Sequence, residues 1–448
     1  MIETINTILV KISSFVWGPP LIIMLLGTGI ILTIRSRAIQ FRGFKHSWGL
    51  ISGRHDHPEE EGETTHFESL STALSATIGT GNIAGVATAI AMGGPGAVFW
   101  MWVTALFGMS IKYHSCLLAQ KYREINENGV VSGGPAYFLT MGLGKKWLGI
   151  LFAVFTVIAS FGIGNLAQAN SLADPLNQVF GINKWVTGIV VALLVAVVII
   201  GGVKRIASVT SKLVPFMAIA YILSSLAVIL LNYEKILPAF GQIFYFAFND
   251  VPSAAGGGFA GATVMTVMRF GVARGLFSNE SGLGSAAIAH APAKTDEPVR
   301  EGLVAMMGPF IDTILICTMT ALVIIISGLW DKGQSGAALS SSAFQATLPV
   351  AGKYVVSLGL TIFAFSTLIG WSYYGDRNIE FLFGPKAVSI YRIIFILMIP
   401  IGAVMKLEIV WNFSDIANAL MALPNLIGVL ALSGLVSVMT KDYWARRK

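Results

Sequence analysis

The sequence predicts an all-α polytopic membrane protein, with about eleven transmembrane helices that form a 5+5 inverted repeat behind one extra amino-terminal helix. Composition is the first observation behind this prediction: the chain has 448 residues, of which 55% are hydrophobic and 12% charged. Soluble globular proteins carry about 25% charged residues, so an ordinary water-soluble enzyme is excluded. Disorder is also excluded, because it needs low hydrophobicity and high charge. We expect one transmembrane domain over residues 1–448.

Long apolar runs are the second observation. A run of about 19 residues spans a hydrocarbon core of about 30 Å. The last run is long enough to be a helix broken at Pro424. We expect a helix and a loop over 1–69, a first repeat over 70–232 and a second repeat over 240–440. The predicted spans are 17–34, 70–92, 96–119, 147–170, 185–202, 209–231, 257–287, 303–329, 354–374, 390–404 and 409–439.

The basic residues give the orientation. Most of the 30 Lys and Arg residues follow spans one, three, five, seven, nine and eleven. Loops rich in Lys and Arg stay on the cytoplasmic side, so the sequence predicts a cell-membrane protein with its amino terminus outside and its carboxyl terminus in the cytoplasm. The loops on the opposite side carry only Lys11, Lys184, Lys235, Lys332, Lys353 and Lys406.

The first cytoplasmic loop could in principle hold a metal ion, because it combines His55, His57 and His66 with several acidic residues. It lacks the spacing of a tetrahedral site, so a solvated loop of mixed charge is the favoured interpretation. The two cysteines, Cys116 and Cys317, both lie in apolar runs. They do not indicate a disulfide framework.

The third observation is an interruption inside span two, where Ser75–Gly85 reads SATIGTGNIAG. Glycine weakens a helix by about 1 kcal/mol relative to alanine, and Thr and Asn side chains compete with helical hydrogen bonds. Unpaired backbone in lipid survives only where it lines a cavity or binds something. The alternative is close packing of an unbroken helix through its small residues.

Span seven carries a matching interruption between Arg269 and Gly282, where two glycines, two arginines and Glu280 occur together. Charged residues inside a transmembrane span are functional or paired with one another. The sequence predicts Arg274 and Glu280 as such a pair. Spans two and seven are five spans apart and cross in opposite directions. Discontinuous helices in corresponding positions are typical of inverted-repeat transporters.

Broken helices have a defined chemistry at their ends. The half-helix that ends near Ile78 leaves carbonyl groups suited to a cation, and the half-helix that begins near Thr80–Asn82 presents N–H groups suited to a carboxylate. One break can therefore hold a cation beside the anionic end of a substrate.

With these breaks in place, the chain resembles the alanine/glycine:cation symporter family, which has the leucine-transporter architecture. The resemblance rests on ALSATIGTGNIAG (73–85), GGPGAVFW (93–100), GGPAY (133–137) and GVARGLFSNESGLGSAAIAHA (271–291). It implies sodium-coupled uptake of small neutral amino acids, with alanine and glycine as substrates and Na⁺ as the co-transported ion.

The resemblance also implies site residues. The sodium site would use the carbonyls of Ser75, Ile78 and Phe363 with the hydroxyls of Ser366 and Thr367. The last three stand at i, i+3 and i+4 on one helical face, and the alternative is that both hydroxyls bond back to their own helix. Substrate would contact Gly79, Thr80, Gly81, Asn82, Gln168, Phe270, Gly271, Leu276, Phe277, Thr367 and Trp371.

Three further expectations concern side chains near this site. Trp371 would shrink the pocket to fit a methyl group or a hydrogen, the alternative being an interfacial anchor. Asn165 is, after Gln168, a second side-chain amide that could face the substrate cavity. The alternative is that it makes an interhelical hydrogen bond. Thr77 and Asn82 match a second sodium site whose other ligands have no equivalent here. Asp312 and Asp415 keep no assigned role beyond a conceivable proton relay, and pairing with Arg269 or Arg274 is the alternative for Asp312 alone.

The function favoured by these residues is a sodium-coupled symporter that imports small neutral amino acids by alternating access. A proton-coupled amino-acid transporter and an amino-acid-gated channel or sensor are the alternatives. An enzyme is not expected, because HExxH and GxSxG are absent and no Walker A loop is present. We expect the bilayer, the amino acid and Na⁺ as partners, and no nucleic acid.

Overall fold

The fold was analysed in a computed structural model, which describes residues 8–447 apart from 10, 14, 58, 126–128, 255–256 and 406, and the backbone alone of 407–414. Within that part of the chain, the strands are one short antiparallel pair, β1 (Glu124–Ile125) and β2 (Val131–Ser132). Of the described helices, six are long and apolar enough to span a membrane, and a bent pair adds a seventh span. The all-α polytopic fold class is confirmed.

The helices of the first half follow the predicted order. A 3₁₀ turn at Tyr233–Lys235 separates the two halves. The helices are α1 (Pro19–Arg35), α2 (Ile39–Arg42), α3 (Phe44–Ile51), α4 (His66–Thr77), α5 (Gly81–Gly93), α6 (Ala97–Lys121), α7 (Pro135–Tyr137), α8 (Lys146–Phe180), α9 (Lys184–Ile199) and α10 (Gly202–Leu231).

The second half contains two helices outside the predicted spans, α11 and α15. The last long helix runs through Pro424 without interruption, so the break considered there is wrong. The helices are α11 (Ile236–Phe248), α12 (Val264–Asn279), α13 (Ala286–His290), α14 (Pro298–Ser327), α15 (Gly336–Thr347), α16 (Ala351–Phe383), α17 (Lys386–Val404) and α18 (Leu407–Arg446).

The break in the first repeat lies where the sequence places it. Helix α4 begins with a capping box, in which the Thr65 hydroxyl accepts from the Glu68 N–H at 3.2 Å and the Glu68 carboxylate accepts from the Thr65 N–H at 2.9 Å. It ends because Ile78 has an extended backbone (φ −76°, ψ 93°). Helix α5 then continues at an angle of 55° to α4 and opens with a π-helical turn at Gly81–Gly85.

The break in the second repeat lies further along the chain than the glycine and arginine residues indicated. Helix α12 is continuous through Gly271 and Gly275 and ends at Asn279. Glu280 has a left-handed backbone (φ 55°), a conformation that is rare for residues other than Gly, Asn and Asp. Helix α13 begins only at Ala286. The first helix of each repeat is therefore discontinuous.

Glycines in these helices allow close helix packing. A Cβ atom on Gly370 of α16 would lie 2.7 Å from the Ala76 Cβ of α4, and one on Gly275 of α12 would lie 3.1 Å from the Met101 Cα of α6. Small residues at such contacts let the backbones approach. Helix α16 is thereby held against the end of α4, and α12 against α6.

Candidate functional site

The end of α4 meets α16 through hydroxyl and carbonyl oxygens. The Ser366 hydroxyl lies 3.2 Å from the Ser75 carbonyl and 2.8 Å from the Phe363 carbonyl. The Thr367 hydroxyl lies 3.4 Å from the Ile78 carbonyl and 2.9 Å from that of Phe363. All five residues are buried. The structure thus brings together the five residues of the expected sodium site, and each hydroxyl also bonds to its own helix.

The backbone gap next to this cluster is organised by Asn82. Its side-chain oxygen accepts from the Gly79 N–H at 2.9 Å, and a Cβ on Gly79 would lie 2.6 Å from the Thr367 hydroxyl and 3.6 Å from Gln168 Oε1. Neither Gln168 Oε1 nor the Thr80 hydroxyl has a hydrogen-bond partner among the described residues, although both are buried. The gap therefore holds an unsatisfied amide oxygen and an unsatisfied hydroxyl at the depth where both helices are interrupted.

Trp371 is buried on α16 rather than placed at a membrane interface. It is 2% exposed, and a Cβ on Gly164 would lie 2.6 Å from its Cγ. Gly164 belongs to a π-helical turn at Gly162–Leu166 inside α8. Burial against α8 does not fit the anchor alternative, and the role of Trp371 in the substrate pocket stays a prediction.

Asn165 and Thr77 each donate a hydrogen bond to a backbone carbonyl. The Asn165 amide donates to the Phe395 carbonyl of α17 at 2.7 Å, and the Thr77 hydroxyl donates to the Ala73 carbonyl of its own helix at 2.6 Å. Asn165 thus makes an interhelical hydrogen bond, while its side-chain oxygen is buried without a hydrogen-bond partner among the described residues. The place of Thr77 in a second ion site stays a prediction.

A cavity of about 440 Å³ lies along α5, where Ala84, Gly85 and Thr88 line it. Phe277 of α12 lines it, and one ring carbon of Phe277 lies 3.3 Å from the Cβ position of Gly81. Other walls come from α5, α8, α15, α16 and α18. The aromatic ring of Phe277 therefore lies between the backbone gap and the open cavity.

Phe270 and Gly271 are not brought to this gap. Phe270 packs beside Gly93, at the far end of α5, and a Cβ on Gly271 would lie 2.6 Å from the Trp100 Cβ of α6. Because α12 stays helical to Asn279, Phe270 lies about 10 Å along the axis from Phe277. Leu276 is buried on α12. Placing Phe270 and Gly271 in the pocket was therefore wrong, since the prediction assumed that the break fell beside them.

The charged pair in the cavity also differs from the predicted one. Arg274 lies 3.7 Å from the Asp415 carboxylate of α18 and not beside Glu280, and its guanidinium carbon lies 5.4 Å from the centroid of the Phe277 ring. Arg274, Asp415 and Phe277 all line the cavity. The left-handed turn at Glu280 instead directs that carboxylate to the Ser285 hydroxyl, which donates to it at 2.7 Å.

Asp312 joins the two breaks, a role that the sequence pattern did not indicate. Its carboxylate accepts from the Asn82 amide at 2.6 Å, from the Thr313 hydroxyl at 2.7 Å and from the Ser278 hydroxyl at 3.3 Å. Asp312 lies in a π-helical segment, Phe310–Cys317. Such segments often occur at functional sites. An acidic residue inside an apolar span was the available signal.

Lys112 is a second residue whose role the sequence pattern did not indicate. It is buried in the middle of α6 and donates to the Asn279 carbonyl, the last residue of α12, at 3.0 Å. Gly308 of α14 leaves room for the ammonium group, since a Cβ there would lie 3.0 Å from Lys112 Nζ. A positive charge at a helix carboxyl end is favourable. The end of α12 is therefore capped by a side chain of the protein itself, that of Lys112.

A buried cluster joins the start of α4 to α13 and α14. The buried Glu301 carboxylate contacts His66 at the start of α4, and it lies 2.5 Å from His290 Nδ1 of α13. Nearby, the Arg123 guanidinium donates to the Ala293 carbonyl at 2.6 Å. These contacts tie elements of the first half of the chain to elements of the second half.

Comparisons with known proteins agree with this arrangement. The solved structure of MhsT in complex with L-phenylalanine superposes with a TM-score of 0.59 at 14% identity, covering 83% of this chain and 89% of that one. That likeness confirms the leucine-transporter architecture.

Sequence relatives are much more similar. The sodium/alanine symporter AgcS of Methanococcus maripaludis is 49% identical over 100% of this chain and 98% of its own length. The probable sodium/glutamine symporter GlnT of Bacillus subtilis is 37% identical over 97% and 90%. Residues 2–448 match the sodium:alanine symporter family. The chain therefore belongs to that family of multi-pass secondary transporters and is not an enzyme.

Proposed function

We propose that this protein is a sodium-coupled symporter that imports small neutral amino acids, alanine and glycine among them, across the cell membrane. The observation that carries the proposal is the convergence of the Ser75, Ile78 and Phe363 carbonyls with the Ser366 and Thr367 hydroxyls at the broken end of α4. Membership of the sodium:alanine symporter family supports it.

The chemistry of this cluster suits Na⁺. Hard cations prefer oxygen ligands, and the carboxyl end of α4 adds a partial negative charge. Each hydroxyl has lone pairs left after it donates a hydrogen bond. A sodium ion would also tie α4 to α16, so that ion binding and helix position become linked.

The amino acid would bind beside the ion. The backbone around Gly79–Asn82, at the start of α5, suits the substrate carboxylate, and the unsatisfied Gln168 Oε1 suits the ammonium group. Thr367 is close to both the ion cluster and Gly79. The Trp371 indole packs against Gly164, and the Phe277 ring lies over Gly81. These two aromatic side chains would limit the substrate to a small side chain.

Alternating access would follow if the cavity and the Glu301 side closed in turn. In the arrangement described here the cavity is open, and the Glu301 cluster with His66 and His290 would seal the other end. We assign the cavity to the outside, in line with an external amino terminus and cytoplasmic basic loops. Transport would close the cavity over Phe277 and open the Glu301 side.

The decisive experiment is uptake of radiolabelled alanine and glycine into proteoliposomes that contain the purified protein, with inward Na⁺, K⁺ or H⁺ gradients imposed in turn. We expect accumulation with the Na⁺ gradient alone and a stimulation by negative internal voltage, because each inward charge gains about 2.3 kcal/mol per 100 mV. Equal uptake without sodium would contradict the proposal.

Proton coupling is the alternative with an observation of its own, the buried Asp312 carboxylate that bonds to Asn82 and Ser278. The proteoliposome uptake assay also distinguishes sodium coupling from proton coupling. Accumulation driven by an H⁺ gradient in sodium-free buffer, and lost in the Asp312→Asn variant, would favour the proton. Unitary currents in planar bilayers would instead indicate a gated channel.

A further inference from the structure

A second cavity, of about 310 Å³, opens where the end of α1 meets the end of α18. Its volume lies within the range of small-ligand sites, and it is far along both helices from the amino-acid site. Basic and hydroxyl side chains dominate its lining. The lining residues are Arg35, Ser36, Arg37, Arg42, Ser437, Thr440, Lys441, Trp444 and Ala445.

The shape of this cavity depends on a sharp turn after α1. Arg37 and Ala38 both have left-handed backbones, with φ of 54° and 53°. Two contacts hold the turn: the Ala38 N–H donates to the Thr33 carbonyl at 2.7 Å, and the Gln40 amide donates to the Thr33 hydroxyl at 3.0 Å. The turn brings α2, and with it Arg42, back beside α18. A strained backbone that is held in this way occurs most often at binding sites.

The charges in the cavity are uncompensated. No acidic residue is among the side chains that line it, and the described part of the chain shows no salt bridge to Arg37, Arg42 or Lys441. The acidic neighbour Asp442 instead pairs with Arg446, at 3.1 Å. Arg35 contacts the Ser433 hydroxyl. The basic residues Arg35, Arg37, Arg42 and Lys441 are exposed at the mouth of the cavity. A group of cations without an acidic partner is complementary to an anion with several oxygens, and guanidinium groups bind phosphate through two parallel hydrogen bonds.

The surface beside the cavity is apolar and exposed. Ile34 is 71%, Phe41 66% and Val438 64% exposed, and each is next in sequence to a residue that lines the cavity. Side chains of this kind at the end of membrane helices face the acyl chains. The cavity also lies on the side where basic residues predict the cytoplasmic leaflet, which carries anionic lipid.

We propose that this cavity binds the phosphate headgroup of an anionic phospholipid, whose acyl chains lie over Ile34, Phe41 and Val438. Basic cavities between transmembrane helices on the cytoplasmic side are suited to such headgroups. The lipid would bridge the end of α1 and the end of α18, and so stabilise the contact between these two helices. The proposal does not depend on the transported substrate.

The test is thermal unfolding of the purified full-length protein in a neutral detergent, titrated with dioleoyl phosphatidylglycerol or dioleoyl phosphatidylcholine. We expect phosphatidylglycerol to raise the melting temperature saturably and phosphatidylcholine to have little effect, because a ligand that binds only the folded state stabilises it. In the R37Q/R42Q/K441Q variant the half-saturating phosphatidylglycerol concentration should rise roughly tenfold or more.

The matched control is K204Q/R205Q/K212Q, which removes three exposed basic residues elsewhere on the predicted cytoplasmic side. It should respond as the wild type does, and the single variant R42Q should show a smaller loss than the triple variant. Equal losses in both triple variants would overturn the proposal, because they would show a general surface-charge effect. The proposal would also be overturned if phosphatidylglycerol gave no selective shift, or if inorganic phosphate with phosphatidylcholine reproduced the shift, since the site would then take free phosphate.

Discussion

The hydroxyl groups of Ser366 and Thr367 each contact carbonyl groups of two helices. Both bond to the Phe363 carbonyl of α16, and both also approach carbonyls at the end of α4. Interhelical hydrogen bonds in membranes contribute only about 0.6 kcal/mol on average. Losing a hydroxyl should therefore leave the fold intact and affect mainly the binding of the ion that we propose.

Replacing these hydroxyls should weaken sodium binding. We expect Thr367→Val and Ser366→Ala each to raise the sodium concentration for half-maximal uptake about tenfold, equivalent to about 1.4 kcal/mol. Thr361→Val is the matched control, because the Thr361 hydroxyl bonds within its own helix α16, to the Ser357 carbonyl at 2.8 Å. Unchanged sodium dependence in the first two variants would remove both residues from the site.

Trp371 should set the upper size limit of the substrate. Trp371→Ala removes the indole that packs against Gly164, so we expect leucine and phenylalanine to compete with alanine uptake in the variant and not in the wild type. Competition assays in proteoliposomes measure this. The control is Trp102→Ala, which removes an indole that bonds to the Thr318 hydroxyl outside the gap. An unaltered substrate range would assign Trp371 to packing alone.

At the scale of whole elements, the two broken helices end in different ways. The end of α4 is satisfied by neutral hydroxyls, whereas the end of α12 is satisfied by the Lys112 ammonium group. Both half-helices end at their breaks, so each directs its carboxyl end, the negative end of the helix dipole, into the break. In the proposed function the end of α4 would hold an exchangeable cation, whereas the end of α12 has the Lys112 side chain as a fixed partner.

Removing the Lys112 charge should destabilise the end of α12. We expect Lys112→Met to lower stability by about 1–3 kcal/mol, because the Asn279 carbonyl loses its partner in a buried setting. Thermal unfolding in detergent measures the effect. Lys121→Met, at the exposed end of the same helix, should change stability by less than about 0.5 kcal/mol. A more stable Lys112→Met variant would show instead that desolvation of the ammonium outweighs its contacts.

At the scale of the whole molecule, the segment that follows α1 meets the end of α18 on the predicted cytoplasmic side. His46 of α3 lies 2.6 Å from the Tyr443 hydroxyl of α18. Burial, followed by the nearby Arg447 guanidinium and His55, lowers the pKa of His46 from 6.5 to about 4. The folded state therefore binds fewer protons at this site than the unfolded state does between pH 6.5 and 4.

Stability contributed by neutral His46 is accordingly present above pH 6.5 and is lost as the pH falls toward 4. We expect His46→Gln to flatten the decrease of the melting temperature over this interval relative to the wild type. Melting temperatures at half-unit pH steps measure it, with His57→Gln, an exposed histidine of the same loop region, as the control. Parallel wild-type and His46→Gln profiles would contradict the assignment.

Much of the fold and half of the site could be predicted from the sequence, for physical reasons that differ between residues. The apolar runs predicted the spans, and the GTGN interruption predicted the first break. Both predictions rest on the need of backbone N–H and C=O groups in lipid for hydrogen-bond partners nearby. Ser366 and Thr367 were expected from the family resemblance, and helical spacing placed them on one face with Phe363. Phe270 and Gly271 were misplaced, because glycines that pack against α6 look the same in a sequence as glycines that break a helix.

Other features depend on contacts between distant segments, which periodicity does not report. The pairing of Arg274 with Asp415 joins α12 to α18, and the contact of Asn82 with Asp312 depends on a π-helical segment in α14. Whether the number of spans and the orientation follow the expectation stays a prediction, as do the domain boundaries.

In the symport cycle that we propose, the Lys112 side chain at the end of α12 would limit how far the substrate could be concentrated. Lys112 cannot leave with the substrate, so only an ion at the other break would carry charge inward. At 100 mV that single charge supplies about 2.3 kcal/mol, which corresponds to an accumulation ratio of about fiftyfold from voltage alone. A cell that maintained a steeper amino-acid gradient through this protein would have to draw the remainder from the sodium concentration difference.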